Sequence, residues 1–382
     1  MRFTRPTLGV AGALAALALT APAAFASPSH EGPSGPAAGS SSAGAVFVQT
    51  DNLAANAVVA YKRSPQGRLS KAGIYKTGGK GGALEGAKVD FLASQGSLAL
   101  DSEAGLLFAV NAGSNTITEF AVDGTKLKRE AIVPSGGEFP ASIAVHGETL
   151  YVLNARGRGS IQGYRIAGGK PQLVKGWNRP LGLDPNATPE FTHTPGQVAF
   201  TPDGSKLVVT TKGNTSAVDV FAVAGNGAPA KTPVVNSLPE AVPFAVDFDS
   251  AGHLMVAEAG SNALASFSIG SNGTLTPLGA AVPTGQEATC WISNVGTTFF
   301  LSNAGSGTVS AFGTGGSTPT PLGNTATSPG TVDSAAVGKF LYVQTGGEGV
   351  VDAFSVAAGG KLTPLGKVTV PGAVGGEGIV AD

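Results

Sequence analysis

The stretch Gln197-Val198-Ala199-Phe200, followed after a turn by Leu207-Val208-Val209-Thr210-Thr211 and after a second turn by Ala217-Val218-Asp219-Val220-Phe221-Ala222-Val223, decides the fold. Period-two alternation of β-branched and aromatic residues between turn signals reads as strand, not helix. Working outward, the middle run recurs. Its other copies are Val46-Phe47-Val48-Gln49-Thr50, Leu107-Phe108-Ala109-Val110-Asn111, Leu150-Tyr151-Val152-Leu153-Asn154, Leu254-Met255-Val256-Ala257-Glu258, Phe299-Phe300-Leu301-Ser302-Asn303 and Leu341-Tyr342-Val343-Gln344-Thr345. Anchored on their second residues, they are spaced by 61, 43, 57, 47, 45 and 42 residues, so four intervals are near one period and two carry insertions.

Each copy after the first has an inner run of small residues before it, such as Ser142-Ile143-Ala144-Val145, and each has an alternating strand after it, such as Val350 to Val356. A further run such as Leu275-Thr276-Pro277-Leu278 or Leu362-Thr363-Pro364-Leu365 suits an outer edge, where the donor that proline lacks costs no ladder bond. Four strands per period, repeated seven times, give an all-β fold: a seven-bladed β-propeller with four-stranded antiparallel blades. A sandwich or solenoid is the structural alternative. The chain opens on a second strand with no inner partner and ends on Gly378-Ile379-Val380-Ala381-Asp382, an inner strand with no second strand. The C-terminal strand is therefore expected to close the first blade and remove two open edges.

Composition narrows the function. Lys+Arg 24 against Asp+Glu 25 gives a net charge of −1, so there is no basic footprint for nucleic acid. Charged residues make up 13% where about 25% is usual. Surface polarity must come from Ser, Thr, Asn and the backbone. The single cysteine excludes an intrachain disulfide and a multi-cysteine zinc site. Arg2 and Arg5 before the apolar run Leu8 to Leu19, then Ala24-Phe25-Ala26, read as a Sec-type signal peptide over 1–26. Pro22 breaks the run short of a membrane span. Residues 27–44 are a Ser/Pro/Gly/Ala-rich spacer, and the propeller is expected over 45–382. A secreted or periplasmic monomer follows.

Blade geometry gathers the ends of the second strands, the starts of the inner strands and the loops between blades at one face, the top. Asn111, Asn154, Arg156, Gln197, Thr211, Lys212, Glu258, Cys290, Asn303 and Thr345 fall there. So do two insertions, about Thr77 to Gly96 and Trp177 to Pro195, long enough to suggest function. A pocket at the top mouth of the channel is expected. Of the histidines, His30 is in the spacer and His146 and His253 are at the bottom, which leaves His193, beside Glu190, as a general base or a solvated loop residue. Glu258 stands where other repeats carry Asn or Thr and either activates water or accepts a turn hydrogen bond. Arg156 and Arg158 can hold a carboxylate or merely be solvated. Cys290 reads as a buried apolar side chain. Neither a metal site nor a cofactor is expected, and there is no serine elbow, phosphate loop or calcium loop.

The run Pro195 to Leu207, Val218-Asp219-Val220-Phe221 and the Gly-x-Leu-Thr-Pro-Leu of Gly273 to Leu278 resemble the seven-bladed lactonase propeller family, which includes 6-phosphogluconolactonase and 3-carboxymuconate cyclase-like proteins. The resemblance spans nearly all of Ala45 to Asp382 and implies the same fold. The family pattern has Arg-His before Val-Ala-Phe, the histidine being catalytic, and Asn-Glu at the end of the next strand. Here those places hold Gly196, Gln197, Thr211 and Lys212. Two functions are expected. One is a lactonase-like enzyme hydrolysing or forming a small lactone, with Lys212, Gln197, Arg156, Asn111, Asn154 and Asn303 recognising a lactone or carboxylate and Glu258 or His193 moving the proton. The other is a noncatalytic secreted propeller that binds a saccharide, a cell-wall polymer or cell-surface glycan, or a protein.

Overall fold

The second strand of each repeat is an apolar run because both its faces are covered. Leu106–Asn111, Leu254–Glu258 and Phe340–Thr345 are buried along their whole length, whereas outermost strands such as Thr320–Ala326 are almost wholly exposed. The computed structural model describes residues 43–315 and 318–382; the expected signal peptide and nearly all of the expected spacer lie outside the described residues. Seven antiparallel sheets form the ring. Six have four strands. In the fifth blade the outer position is split, Leu275–Pro277 and Val282–Pro283 both pairing with Ala263–Ile269.

The core is divided among seven clusters, one for each blade interface. One of them joins the last blade to the first through Tyr342 and Val351 on one side and Val46, Tyr61 and Ile379 on the other. Ile379–Ala381 pairs antiparallel with Gly44–Gln49 in the register Phe47 to Val380, and Arg63 Nη2 donates to the carbonyl of Asp382 at 2.9 Å. Buried tyrosine hydroxyls tie neighbouring blades: Tyr61 donates to the Thr369 carbonyl at 2.7 Å and Tyr342 to that of Gly67 at 2.9 Å.

The first insertion does not frame the upper mouth; it fills it. Ser94 Oγ donates to Ala141 O at 2.8 Å, Trp291 Nε1 donates to Ser94 O at 2.6 Å, and Gln95 exchanges two hydrogen bonds with the Ile292 backbone. The Gln95 amide also donates to Gly196 O at 3.1 Å. These contacts reach the third, fourth and sixth blades, so residues 92–95 plug the channel from above. Lys212 pins the plug. Its Nζ donates to Ala93 O and Phe191 O, both at 2.6 Å, and to Thr194 Oγ1 at 3.0 Å. Three acceptors satisfy all three ammonium protons, which is what allows a lysine to be 1% exposed. Burial pulls its pKa down to about 8.

Carboxyls surround the plug. Glu377 Oε1 accepts from the Ser94 amide at 3.0 Å, and Glu377 N donates to Asp51 Oδ2 at 2.9 Å. Burial pushes Asp51, Asp333 and Asp90 up to about 7, Lys212 acting the other way on Asp90, and pushes Glu377 well above its ordinary value. Glu377 Oε2, Gln49 Oε1 and Gln344 Oε1 are buried with no donor among the described residues. Acceptors without donors fit a cluster that holds protons.

Three outcomes follow from closure and plug. Ile379→Ala should cost about 2–5 kcal/mol in chemical denaturation, as for other buried aliphatic truncations; an unchanged midpoint would mean that the last strand does not close the ring. Lys212→Met leaves the Ala93 and Phe191 carbonyls without a donor and should cost about 2–4 kcal/mol, with faster amide exchange confined to residues 90–95. For pH, the folded chain binds protons that the unfolded chain has released between about 4 and 7, because Asp51 and Asp333 rise from 3.8 to about 7. Stability is therefore full at the acid end of that window and falls as pH rises through it. The melting temperature at pH 5 should exceed that at pH 8 by more than about 5 °C; the reverse order would contradict the proton-holding cluster.

Candidate functional site

The recurring Asn and Thr residues at the strand ends staple the hairpins. Asn111 Nδ2 donates to Thr116 Oγ1 at 3.1 Å and Thr118 Oγ1 at 2.9 Å, and Asn303 Nδ2 donates to Thr308 Oγ1 at 3.1 Å and Ser310 Oγ at 2.9 Å. The same offsets of five and seven residues recur in two blades, so this is a property of the repeat. Thr211 Oγ1 and Thr345 Oγ1 donate to Ala217 O and Val350 O in the corresponding places. Asn154 Nδ2 donates to Ser135 O at 3.1 Å, while its Oδ1 has no donor among the described residues. Asn111, Asn154 and Asn303 are all fully buried, under the loops of the upper face.

Of the other expected site residues, Arg156 and His193 come together. They line a small upper pocket of about 50 Å³ with Arg158, Asp184 and Glu190; Glu258 and Asn303 do not line it. Arg156 is already engaged: Nε lies 2.6 Å from Glu190 Oε1, Nη2 lies 2.9 Å from Oε2, and the guanidinium sits 4.5 Å over the Phe139 ring. This pairing holds the Glu190 carboxyl below the usual range. His193 Nδ1 is 2.9 Å from Pro189 O, an acceptor only, so the proton is assigned to Nδ1 and Nε2 is left as the basic nitrogen. A space of 50 Å³ holds little more than a water or two. Glu258, 6% exposed, accepts from Ser261 Oγ at 2.7 Å, and burial pushes its carboxyl up. Cys290 is buried and its thiol is pushed up, so little nucleophilic thiolate is present.

Gln197 faces a different space. Below the plug, the channel is a cavity of about 450 Å³, lined by Gln95, Gln197, Phe200, Asp247, Asn294 and Ser334 among others. Its wall runs down the inner strands Val198–Phe200, Pro243–Phe248, Thr289–Val295 and Thr331–Val337 to their lower ends, where Phe200, Phe248 and Ala336 are partly exposed. The channel thus opens at the bottom. Gln197 Oε1 accepts from Val246 N at 2.6 Å, and its Nε2 has no protein acceptor among the described residues. Ser293 and Ser334 share a hydroxyl hydrogen bond of 2.7 Å across two blades. Asp247 Oδ2 accepts from Asn294 Nδ2 at 2.9 Å and Oδ1 from Phe248 N at 2.8 Å, and burial pushes this carboxyl up to about 7 against both bonds. No arginine or lysine lines the cavity, and Asp247 is the one ionisable group among its lining residues.

Asp247, Asn294, Ser293 and Ser334 were not expected as site residues. A signal for them exists in the sequence: charged and polar residues in inner strands otherwise made of small and apolar ones. The departure at Gly196 also has a structural correlate. A Cβ there would lie 2.3 Å from Phe244 O and 2.8 Å from Thr210 Oγ1, so this backbone has no room for the family's arginine. Among the described residues no group of three His, Cys, Asp or Glu side chains is placed to hold a metal, and no helix is long and apolar enough to cross a membrane.

A sequence profile of the family "Lactonase, 7-bladed beta-propeller" matches residues 57–375. No curated protein sequence matches. Among solved structures, the chain is similar to a periplasmic gluconolactonase of Pseudomonas aeruginosa, with TM-score 0.71, 16% identity, and 89% of this chain and 99% of that one covered. It is also similar to a protein from Lactobacillus plantarum, with TM-score 0.70, 20% identity and 89% and 99% coverage. A candidate 6-phosphogluconolactonase of Bacteroides fragilis gives TM-score 0.70, 17% identity and 89% and 98% coverage. At these identities the structural likeness speaks for the fold alone. With the profile spanning most of the propeller, the chain belongs to the seven-bladed β-propeller lactonase family.

Proposed function

We propose that this protein is exported and takes a small, neutral, hydroxyl-bearing lactone into the lower end of its channel, where it hydrolyses it. The observation that carries this reading is the 450 Å³ cavity, which has Gln197, the residue at the family's histidine position, in its wall. A hexose-sized lactone fits such a space, and its hydroxyls match the amides and hydroxyls of Gln197, Asn294, Ser293 and Ser334. The absence of any lysine or arginine from the lining selects against phosphorylated or carboxylated ligands, which would face Asp247 with no counter-charge. The upper-face residues take other parts. Lys212 holds the plug, and Arg156 with Glu190 fastens the second insertion to the first, since Glu190 Oε2 also accepts from the Glu85 amide at 2.6 Å. Export rests on Arg2, Arg5 and the apolar run to Leu19, and the exported form begins at Ser27.

The alternative, a propeller that binds a saccharide without turnover, is favoured by the lack of a cationic group beside Asp247, and the same experiment separates the two. The exported protein should hydrolyse neutral sugar lactones above the uncatalysed rate, followed by acid release in a pH-stat, with kcat/KM at least tenfold higher than for phosphorylated analogues. Ala199→Phe, which fills the cavity, should raise KM more than tenfold. Binding of saccharides with no hydrolysis would establish the noncatalytic reading. A preference for phosphorylated lactones would overturn the site.

A further inference from the structure

We infer that Asp247 is the general base of this site and that Asn294 positions it, so that the chemistry is carried by a carboxylate at the lower mouth of the channel, Gln197 standing at the family's histidine position in the same wall. This inference rests on the lactone reading above. Asp247 is in an inner strand and half-buried in the cavity wall. One donor engages each of its oxygens, Phe248 N at Oδ1 and Asn294 Nδ2 at Oδ2, and each oxygen keeps a lone pair for a water in the cavity. The Asn294 amide also donates to Phe248 O at 3.2 Å, which fixes the amide on both sides and orients the carboxylate it touches. No second ionisable side chain lines the cavity, so no other group there can take a proton near neutral pH.

The step balances without a co-reactant. A water held by Asp247 gives its proton to the carboxylate while its oxygen attacks the lactone carbonyl carbon. The carbonyl electron pair moves onto oxygen, where neutral donors are at hand in Gln197 Nε2 and the Ser293–Ser334 hydroxyl pair. Collapse of the tetrahedral intermediate breaks the bond to the ring oxygen, which takes the proton back from Asp247. Lactone and water become one hydroxy acid, and the carboxylate is regenerated. Burial keeps Asp247 basic enough to serve near neutral pH.

The test compares the full exported protein with Asp247→Asn, Asp247→Ala and Asn294→Ala, reading hydrolysis by pH-stat and binding by calorimetry with a non-hydrolysable sugar lactam. Asp247→Asn should lower kcat about 100-fold or more, in the range a general base contributes, with lactam affinity within about threefold of wild type. Added formate should restore part of the activity of Asp247→Ala, which a purely structural loss would not allow. Asn294→Ala, which removes a donor to the carboxylate, should shift the rising limb of kcat/KM to higher pH. Hydrolysis by Asp247→Asn close to wild type, or no rescue by formate, overturns the assignment while leaving the lactone reading intact if the lactam still binds. Failure of the wild-type protein to bind lactam and hydrolyse lactone removes that reading and the base with it.

Discussion

The pairing of Ile379–Ala381 with Gly44–Gln49 is the contact on which the rest depends. A ring of sheets buries its second strands on both faces only if every sheet has two neighbours. An open arc of seven would leave the face formed by Val46, Val48 and Tyr61 in water. The closing strand supplies the first blade with its inner strand and places Glu377, just before it, against the plug. Fold closure and the sealing of the upper mouth are therefore one structural event, made by the same few C-terminal residues.

That seal changes what the fold can do. In an open propeller the upper mouth collects the ends of seven second strands around a space. In this chain the first insertion occupies the space and turns potential ligand-binding groups inward: Lys212 satisfies carbonyls, Glu377 accepts from Ser94, and Asn111 and Asn303 bond within their own hairpins. Such a buried polar layer is costly unless paired. It is paired here through backbone amides and carbonyls, and burial raises the affinity of its carboxyls for protons. The space that remains is below, where small inner-strand residues leave the channel open and a single carboxylate stands among neutral groups.

Much of the fold was legible because the sandwiched second strands read as short continuous apolar runs at a steady spacing, and because incomplete repeats at both ends implied each other. The site was less so. Strand-end Asn303 has the composition of a ligand-facing residue, but its partners, Thr308 and Ser310, lie within its own hairpin, a local pattern that sequence spacing does record. Arg156 and His193 were both expected at the upper face, and they line one pocket, yet nothing in the sequence shows that Glu190 would neutralise the arginine. Lys212 reads as a rim cation. Its burial depends on carbonyls of Ala93 and Phe191, contributed by two insertions more than 20 residues away along the chain. Asp247 is a lone charge in the otherwise apolar inner strand Pro243–Phe248, which does not by itself say what faces it. Its pairing with Asn294, 47 residues away, appears only when the blades are side by side.

The central claim is that ligand enters from below and meets the inner strands of the fourth to seventh blades. Hydrogen exchange of the protein with and without a saturating sugar lactam tests it most directly. The account predicts protection at residues 197–200, 246–248, 292–294 and 334–336, with no change at 155–158 and 190–194. Protection confined to the upper segments, with the inner strands unaffected, would contradict it.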